Sequence, residues 1–299
     1  MLSVSSLWIV FTVLAAAGQT VRNAMQRELT TKLGTVGATH VRFLFGFPFA
    51  LIFLAGVMIA TGHAFPRLPL IFWPWAIVGA GAQIVATATM LATMSDRSFV
   101  VTIAYIKTEA IQAAIFGLIF LGDTFTLPVL TAILIATFGV IVMSLKGKGA
   151  MSGGWQPVAL GLFSGAMFAL SAVGYRGAIL SLEHPSFVLA ATVTVTVGLI
   201  MQAGVLTLYL LVKDRLVLTA IVRSWRPSLF AGFMGATASE FWFLAFAIAS
   251  VAHVRTLALI EVLFAQAISF FVFKQKTTAR EALGMSLIVV GVVLLIWAQ

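Results

Sequence analysis

Residues 186–212 read SFVLAATVTVTVGLIMQAGVLTLYLLV and contain no charged side chain. This run is longer than the roughly 20 apolar residues that an α-helix needs to cross the hydrocarbon core of a bilayer. Within that core only helices and closed barrels pair all their backbone polar groups, and barrel strands alternate in much shorter segments. The stretch therefore predicts a transmembrane helix.

The composition of the whole chain agrees with this prediction. Its 299 residues are 61% hydrophobic and 9% charged, whereas soluble domains are about 45–50% apolar and about 25% charged. Such a chain cannot cover its core with polar surface, which excludes a soluble fold. Its net charge is +9, but the basic residues fall between apolar runs, where they indicate lipid headgroups as partners rather than nucleic acid.

Ten apolar runs are long enough to count as membrane spans. They are 5–21, 37–61, 70–94, 99–121, 127–145, 157–180, 186–212, 227–250, 254–273 and 281–298. Several links between them are very short, so we expect neighbouring helices to pack antiparallel. The first run is interpreted as a retained helix, because no Lys or Arg precedes it as in a signal peptide. We predict an all-α integral membrane protein with ten transmembrane helices.

The basic residues of the connections are unevenly distributed. Thirteen lie in odd-numbered connections: Arg22, Arg27, Lys32, Arg97, Lys146, Lys148, Lys213, Arg215, Arg223, Arg226, Lys274, Lys276 and Arg280. Three belong to even-numbered ones: Arg67, Arg176 and Arg255. Because basic loops tend to stay in the cytoplasm, this bias places both termini outside. Arg22 and the other loop bases are interpreted as headgroup contacts.

Ten spans divide into two halves of five, residues 1–149 and 150–299. An odd number of helices per half inverts the second copy relative to the first, as in many transporters. A shift of 152 residues places Glu109 on Glu261 and Gly139 on Gly291. Each glutamate then lies near the middle of the fourth span of its half. We therefore predict two inverted five-helix repeats.

The sequence around the two glutamates resembles a known family. Residues 106–109 read IKTE, residues 120–125 read FLGDTF and residues 259–265 read LIEVLFA. This pattern resembles the drug/metabolite transporter superfamily, and within it the EamA-type ten-helix members. Arg42, in a Val-Arg-Phe-Leu context, is similar to an arginine of that family.

The chain departs from the family pattern at several positions, among them Lys274-Gln275-Lys276 in the second half. Ala110 and Val262 stand where proline is usual, and Asp123 stands where the family has glutamate. The resemblance implies a secondary transporter of the cytoplasmic (inner) membrane, more often an exporter. It also implies cytoplasmic termini, opposite to the distribution of loop charges, so the sidedness stays open.

Charged side chains inside a bilayer are costly and are therefore candidates for function. We expect Glu109 and Glu261 to face a central cavity, where they bind a cationic group or exchange a proton. The alternative is structural: an ion pair of Glu109 with Arg42 or Lys107, and a helix-capping donor for Glu261. Lys107 and Glu109 are two residues apart, about 200° around a helix, and are not expected to line the same pore.

Four further residues complete the predicted substrate-binding set. Glu240 precedes Trp242 by two residues in an apolar run, and an acid beside an aromatic ring suits an ammonium group. An interhelical hydrogen bond is the alternative for Glu240. Tyr105 is predicted to form a second aromatic wall of the cavity. His40 is included because histidine titrates near neutral pH, although a helix-packing role is the stronger interpretation.

Motifs of enzymes and pumps are absent from the sequence. There is no cysteine, no Walker motif, no Gly-x-Ser-x-Gly and no His-Glu-x-x-His, and the four histidines are scattered. The sequence therefore predicts no enzyme activity, no cofactor and no metal site.

These observations favour a secondary transporter of a small polar metabolite, such as an amino acid or related amine. A zwitterion fits better than a pure cation, because Arg42 and Lys107 are expected near the same cavity. The alternatives are a lipid flippase or scramblase, an organic-anion transporter and an intramembrane enzyme. The expected partners are the solute, protons and membrane lipids. A monomer and a homodimer are both compatible with the sequence.

Overall fold

The computed structural model describes residues 6–93, 105–144, 155–271 and 278–298, and every regular element in these ranges is helical. The α-helices are α1 (Leu7–Leu44), α2 (Phe47–Thr61), α3 (Phe72–Thr93), α4 (Glu109–Phe116), α5 (Leu127–Ser144), α6 (Gln156–Ser181), α7 (Phe187–Lys213), α8 (Arg215–Arg223), α9 (Trp225–Ile248), α10 (Val251–Leu257), α11 (Glu261–Phe271) and α12 (Ala279–Trp297). A π-helical segment, Gly117–Leu121, extends α4, and a 3-10 turn, Ala258–Ile260, joins α10 to α11.

Six helical stretches of the described chain are long and apolar enough to cross a membrane. They are Leu29–Thr61, Phe72–Ala92, Val158–Ser181, Phe187–Lys213, Trp225–Ile248 and Ala279–Trp297. Two shorter apolar stretches are Glu109–Leu121 and Leu127–Met143. Apolar side chains cover the outside, as in α2, where Ile52 is 63% and Ile59 84% exposed. The chain is an all-helical membrane protein, with six of the ten predicted spans found as long helices.

The first predicted connection is helical rather than a loop. Helix α1 continues past residue 21 and is interrupted only at Gly34, whose φ of 68° lies in the left-handed region that glycine adopts without strain. Two polar residues of this segment face the protein interior, since Arg22 is 2% and Gln26 0% exposed. The interpretation of Arg22 as a headgroup contact is therefore wrong. The connection between the seventh and eighth predicted spans likewise contains a helix, α8.

The fourth and ninth predicted spans are interrupted helices. Residues 107–108 form a turn before α4, which begins at Glu109, and a 3-10 turn precedes α11, which begins at Glu261. Both carboxylates are thus in the first turn of a helix, where the helix dipole favours negative charge. The shift of 152 residues that aligns the two glutamates also aligns the two interruptions. Residues 99–104 and 272–273 of these spans lie outside the described residues.

Among the described helices, three pairs pack most extensively: α3 with α6, α1 with α9, and α5 with α12. Small residues allow their backbones to approach, as is usual within membranes. A Cβ atom added at Gly174 of α6 would lie 2.7 Å from the backbone nitrogen of Gly79 in α3. One added at Gly291 of α12 would lie 2.7 Å from the Cβ of Ala136 in α5.

Gly291→Ala should therefore destabilise the protein. The added methyl group forces α12 away from α5, and overpacking of this kind costs about 1–3 kcal/mol. Gly204→Ala in α7 is the matched control, because a Cβ there has no neighbour within 4 Å. We expect a lower thermal midpoint for Gly291→Ala alone, measured in detergent by the fluorescence of the seven tryptophans. Equal midpoints for the two variants would contradict the tight crossing.

Candidate functional site

A cavity of about 180 Å³ lies between α1, α3, α6, α9 and the two interrupted helices. Its charged lining residues are Arg22, Arg42, Lys107, Glu109, Arg255 and Glu261. Polar side chains, including Gln19, Asn23, Gln83, Tyr175 and Ser239, and the aromatic rings of Phe168, Trp242, Phe243 and Phe246 complete the wall. Among the described residues, no cluster of three His, Asp or Glu is arranged to hold a metal ion.

Two ion pairs cross the cavity between the predicted halves. Glu109 Oε1 lies 2.7 Å from Arg255 Nε, and Lys107 Nζ pairs with Glu261 Oε1. The four side chains are only 10–15% exposed. Lys107 and Glu109 both line the cavity, contrary to the expectation from helical spacing. Residues 107–108 form a turn outside α4, so the α-helical rotation of about 100° per residue on which that expectation rested does not apply to them.

An amide side chain connects the aromatic wall to one of these pairs. Trp242 Nε1 donates to Gln19 Oε1 at 3.1 Å, and Gln19 Nε2 donates to Glu261 Oε2 at 3.1 Å. The guanidinium of Arg255 lies 4.6 Å from the centroid of the Trp242 ring and 5.3 Å from that of Phe246. Gln19 was missed by the sequence analysis, although it is a polar residue within the first predicted span.

Arg22 and Arg42 differ from the other four charged residues. Both are 2% exposed, and within the described chain neither has a carboxylate at ion-pair distance. Arg22 donates from Nη2 to Asn23 Oδ1 at 2.9 Å, and Arg42 donates from Nη1 to Thr87 Oγ1 at 3.4 Å. Nε and Nη1 of Arg22 and Nε of Arg42 have no hydrogen-bond partner among the described residues.

The structure brings together five of the eight predicted site residues. Those lining the cavity are Arg42, Lys107, Glu109, Trp242 and Glu261. Glu240, His40 and Tyr105 are not part of the wall. The residues that complete the charged lining, Arg22 and Arg255, were absent from the predicted set, and both were among the loop bases counted for orientation.

The three remaining predicted residues lie between helices. Glu240 of α9 accepts a hydrogen bond from Thr192 Oγ1 of α7. His40 is fully buried, with Nε2 at 3.0 Å from Thr207 Oγ1. Tyr105 is half-buried, and its carbonyl accepts from Thr108 Oγ1.

A second polar layer lies beyond one end of the cavity. Arg176, next to the lining residue Tyr175, donates from Nη1 to the carbonyls of Phe246, at 2.6 Å, and Ala249. Its Nη2 lies 3.9 Å from Asp123 Oδ1. These contacts tie the end of α9 to α6 and to the segment after α4.

Comparisons with known proteins show the fold and leave the function open. No family model matches the chain, and no curated protein matches it. Among solved structures, 27 chains match. One of them, described only as "Crystal structure of protein", is similar with a TM-score of 0.71 over 98% of this chain and 97% of its own. The identity is 13%, so this likeness shows a shared fold alone.

Proposed function

We propose that this protein is a secondary transporter of the drug/metabolite transporter superfamily, of the EamA type. It moves a small polar solute across the cytoplasmic membrane by alternating access. The observation that carries the proposal is the charged cavity between two interrupted helices. Transporters bind their solutes at such interruptions near the bilayer midplane, and irregular backbone at that depth is tolerated where it lines a cavity.

The packing of the helices supports two inverted repeats, residues 1–149 and 150–299, around this cavity. Helices α1 and α6 contain the first predicted spans of the two halves, and α3 and α9 contain the third. The close pairs α1 with α9 and α6 with α3 are therefore exchanged when the halves are exchanged. The pair α5 with α12 joins the two fifth spans. Rocking of such halves exposes a central site to each side in turn.

The size and enclosure of the cavity favour a small soluble molecule over a lipid. Its volume of about 180 Å³ is below the roughly 300–1,000 Å³ of pockets for drug-sized ligands. A flippase or scramblase needs a polar groove that opens sideways to lipid, whereas the ion-paired side chains here are enclosed at 10–15% exposure. Both acids of the described lining are paired with bases, which leaves an intramembrane enzyme no unpaired carboxylate among these residues.

Water access to the cavity from both sides of the membrane tests the proposal. Because the chain has no cysteine, Ser239→Cys places a single thiol on the cavity wall. We expect a small membrane-impermeant methanethiosulfonate reagent to label it from either face of a proteoliposome. Ala132→Cys, buried between α5 and α12, is the control and should stay unlabelled.

The same vesicles should also show solute transport. We expect saturable uptake of radiolabelled amino acids or small organic acids above that of protein-free liposomes. Labelling of Ser239→Cys from one face only, together with no uptake of any solute, would overturn the transporter proposal.

A further inference from the structure

We infer that Arg22 and Arg42 bind the anionic group of the solute, so that the transported molecules carry a carboxylate or another small oxyanion. This inference rests on the transport function proposed above and specifies its substrate class. We call these two residues the arginine pair.

The balance of charge in the cavity leads to this assignment. Among the described lining residues, four of the six charged ones are basic and two are acidic. Each acid is matched, Glu109 by Arg255 and Glu261 by Lys107. The arginine pair is the excess. A buried charge without a partner is strongly unfavourable, and an anion entering the cavity would supply that partner.

The geometry of the arginine pair suits one shared ligand. Both stems pack on Gly235 of α9, where an added Cβ atom would lie 3.2 Å from Arg42 Cγ and 3.5 Å from Arg22 Cδ. Both side chains thus lie against the same glycine, and a bound anion would balance the like charges of the two guanidinium groups. Three of their N–H groups have no partner among the described residues, and the guanidinium fork matches carboxylate and phosphate oxygens.

The hydroxyl of Ser239 lies on the same side of α9. It is four residues, about one helical turn, beyond Gly235, and it also lines the cavity. An anion held by the arginine pair therefore has a neutral hydrogen-bond donor one turn away. This neighbour makes position 239 a suitable reporter of the charge in the site.

A cationic group finds no comparable place in the described part of the cavity. An ammonium group would have to displace Arg255 from Glu109 or Lys107 from Glu261. The face of Trp242, predicted to receive an ammonium, is already covered by the guanidinium of Arg255 at 4.6 Å. The carboxylate of a solute is thus its recognised group, and a pure amine is excluded.

Reagents of opposite charge test this inference directly. We expect Ser239→Cys to react at least about tenfold faster with the anionic methanethiosulfonate MTSES than with the cationic MTSET. Each rate is first divided by the rate of the same reagent with free mercaptoethanol. A tenfold preference corresponds to about 1.4 kcal/mol. Arg22→Gln and Arg42→Gln should each reduce this preference several-fold. Arg226→Gln, at an exposed position, is the matched control and should leave it unchanged.

Thermal stability gives a second readout that a structural role would not produce. Removal of an unpaired buried charge should raise the thermal midpoint, so we expect Arg22→Met to be more stable than the parent chain. The parent should be stabilised by millimolar acetate, phosphate or glutamate, whereas Arg22→Met should not respond. Lower stability of Arg22→Met together with an unchanged response to anions would overturn the inference.

The outcomes also separate the inference from the transport proposal and from lipid binding. If the protein takes up solute but Ser239→Cys reacts equally fast with MTSES and MTSET, the transport proposal stands and the anion site is contradicted. Anion stabilisation without uptake, and with labelling from one face only, would leave the site but remove the transporter. Stabilisation by phosphatidylglycerol and by no soluble anion would place a lipid phosphate at the arginine pair and overturn the inference.

Discussion

Glu261→Gln is expected to cause a large loss of stability. It leaves the ammonium of Lys107, 15% exposed, without its carboxylate, and breaking a buried ion pair from one side costs about 3–5 kcal/mol. The double variant Lys107→Gln/Glu261→Gln removes both charges and should recover most of that loss. The measurement is the thermal midpoint in detergent, monitored by tryptophan fluorescence.

A control at the surface separates this effect from a general loss of charge. Glu183 is exposed, and Glu183→Gln should leave the midpoint almost unchanged, as surface substitutions usually do. A double variant that is no more stable than Glu261→Gln would show that the cost does not come from the unpaired Lys107. The parallel experiment on Glu109 and Arg255 should give the same pattern, because that pair is equally enclosed.

The long helices could be predicted from the sequence because apolar length is a strong and local signal. Residues 186–212, for example, correspond to α7, Phe187–Lys213. An uncharged apolar stretch of this length has few stable conformations other than a membrane-spanning helix. The two glutamates were also identifiable, because a charge in such a window needs a specific reason to be there.

The end of the first helix could not be predicted in the same way. Arg22 and Gln26 interrupt the apolar run, and polar residues normally mark a loop that faces water. Here they face a polar interior and the helix continues to Gly34. A rule based on polarity does not distinguish side chains that meet water from those that line a cavity, and it therefore assigns Arg22 to the surface.

The interruption before Glu109 had no local signal either. Residues 106–108 read IKT, without glycine or proline, and residues 258–260 read ALI. What accompanies the first turn is a hydrogen bond from Thr108 Oγ1 to the Tyr105 carbonyl at 2.6 Å and an ion pair from Lys107 to the other half. Glu261, the ion-pair partner of Lys107, is more than 150 residues away in the chain. The cause of the turn therefore lies in tertiary structure.

Arg176→Gln is expected to loosen the polar layer beyond one end of the cavity and so to open that end. The guanidinium bonds two carbonyls at the end of α9, those of Phe246 and Ala249, and hydrogen bonds to charged groups contribute about 1.5–3 kcal/mol each. If these hydrogen bonds stabilise the closed conformation by about 3 kcal/mol, their loss shifts the equilibrium between closed and open conformations roughly a hundredfold toward the open one. Labelling of Ser239→Cys should therefore become much faster from this face of the membrane.

The face can be identified independently, which makes the experiment directional. The rings of His63 and His184 are in contact, with centroids 5.1 Å apart. The α2–α3 and α6–α7 connections therefore lie at the same end of the protein. Ala64 is exposed in the α2–α3 connection, so Ala64→Cys marks the face of the membrane at that end. Asp123→Asn should have a much smaller effect, because its contact with Arg176 is 3.9 Å long. A gate must change access from one side only. If Arg176→Gln lowers the thermal midpoint while labelling from the marked face stays slow, Arg176 stabilises the fold without closing the cavity.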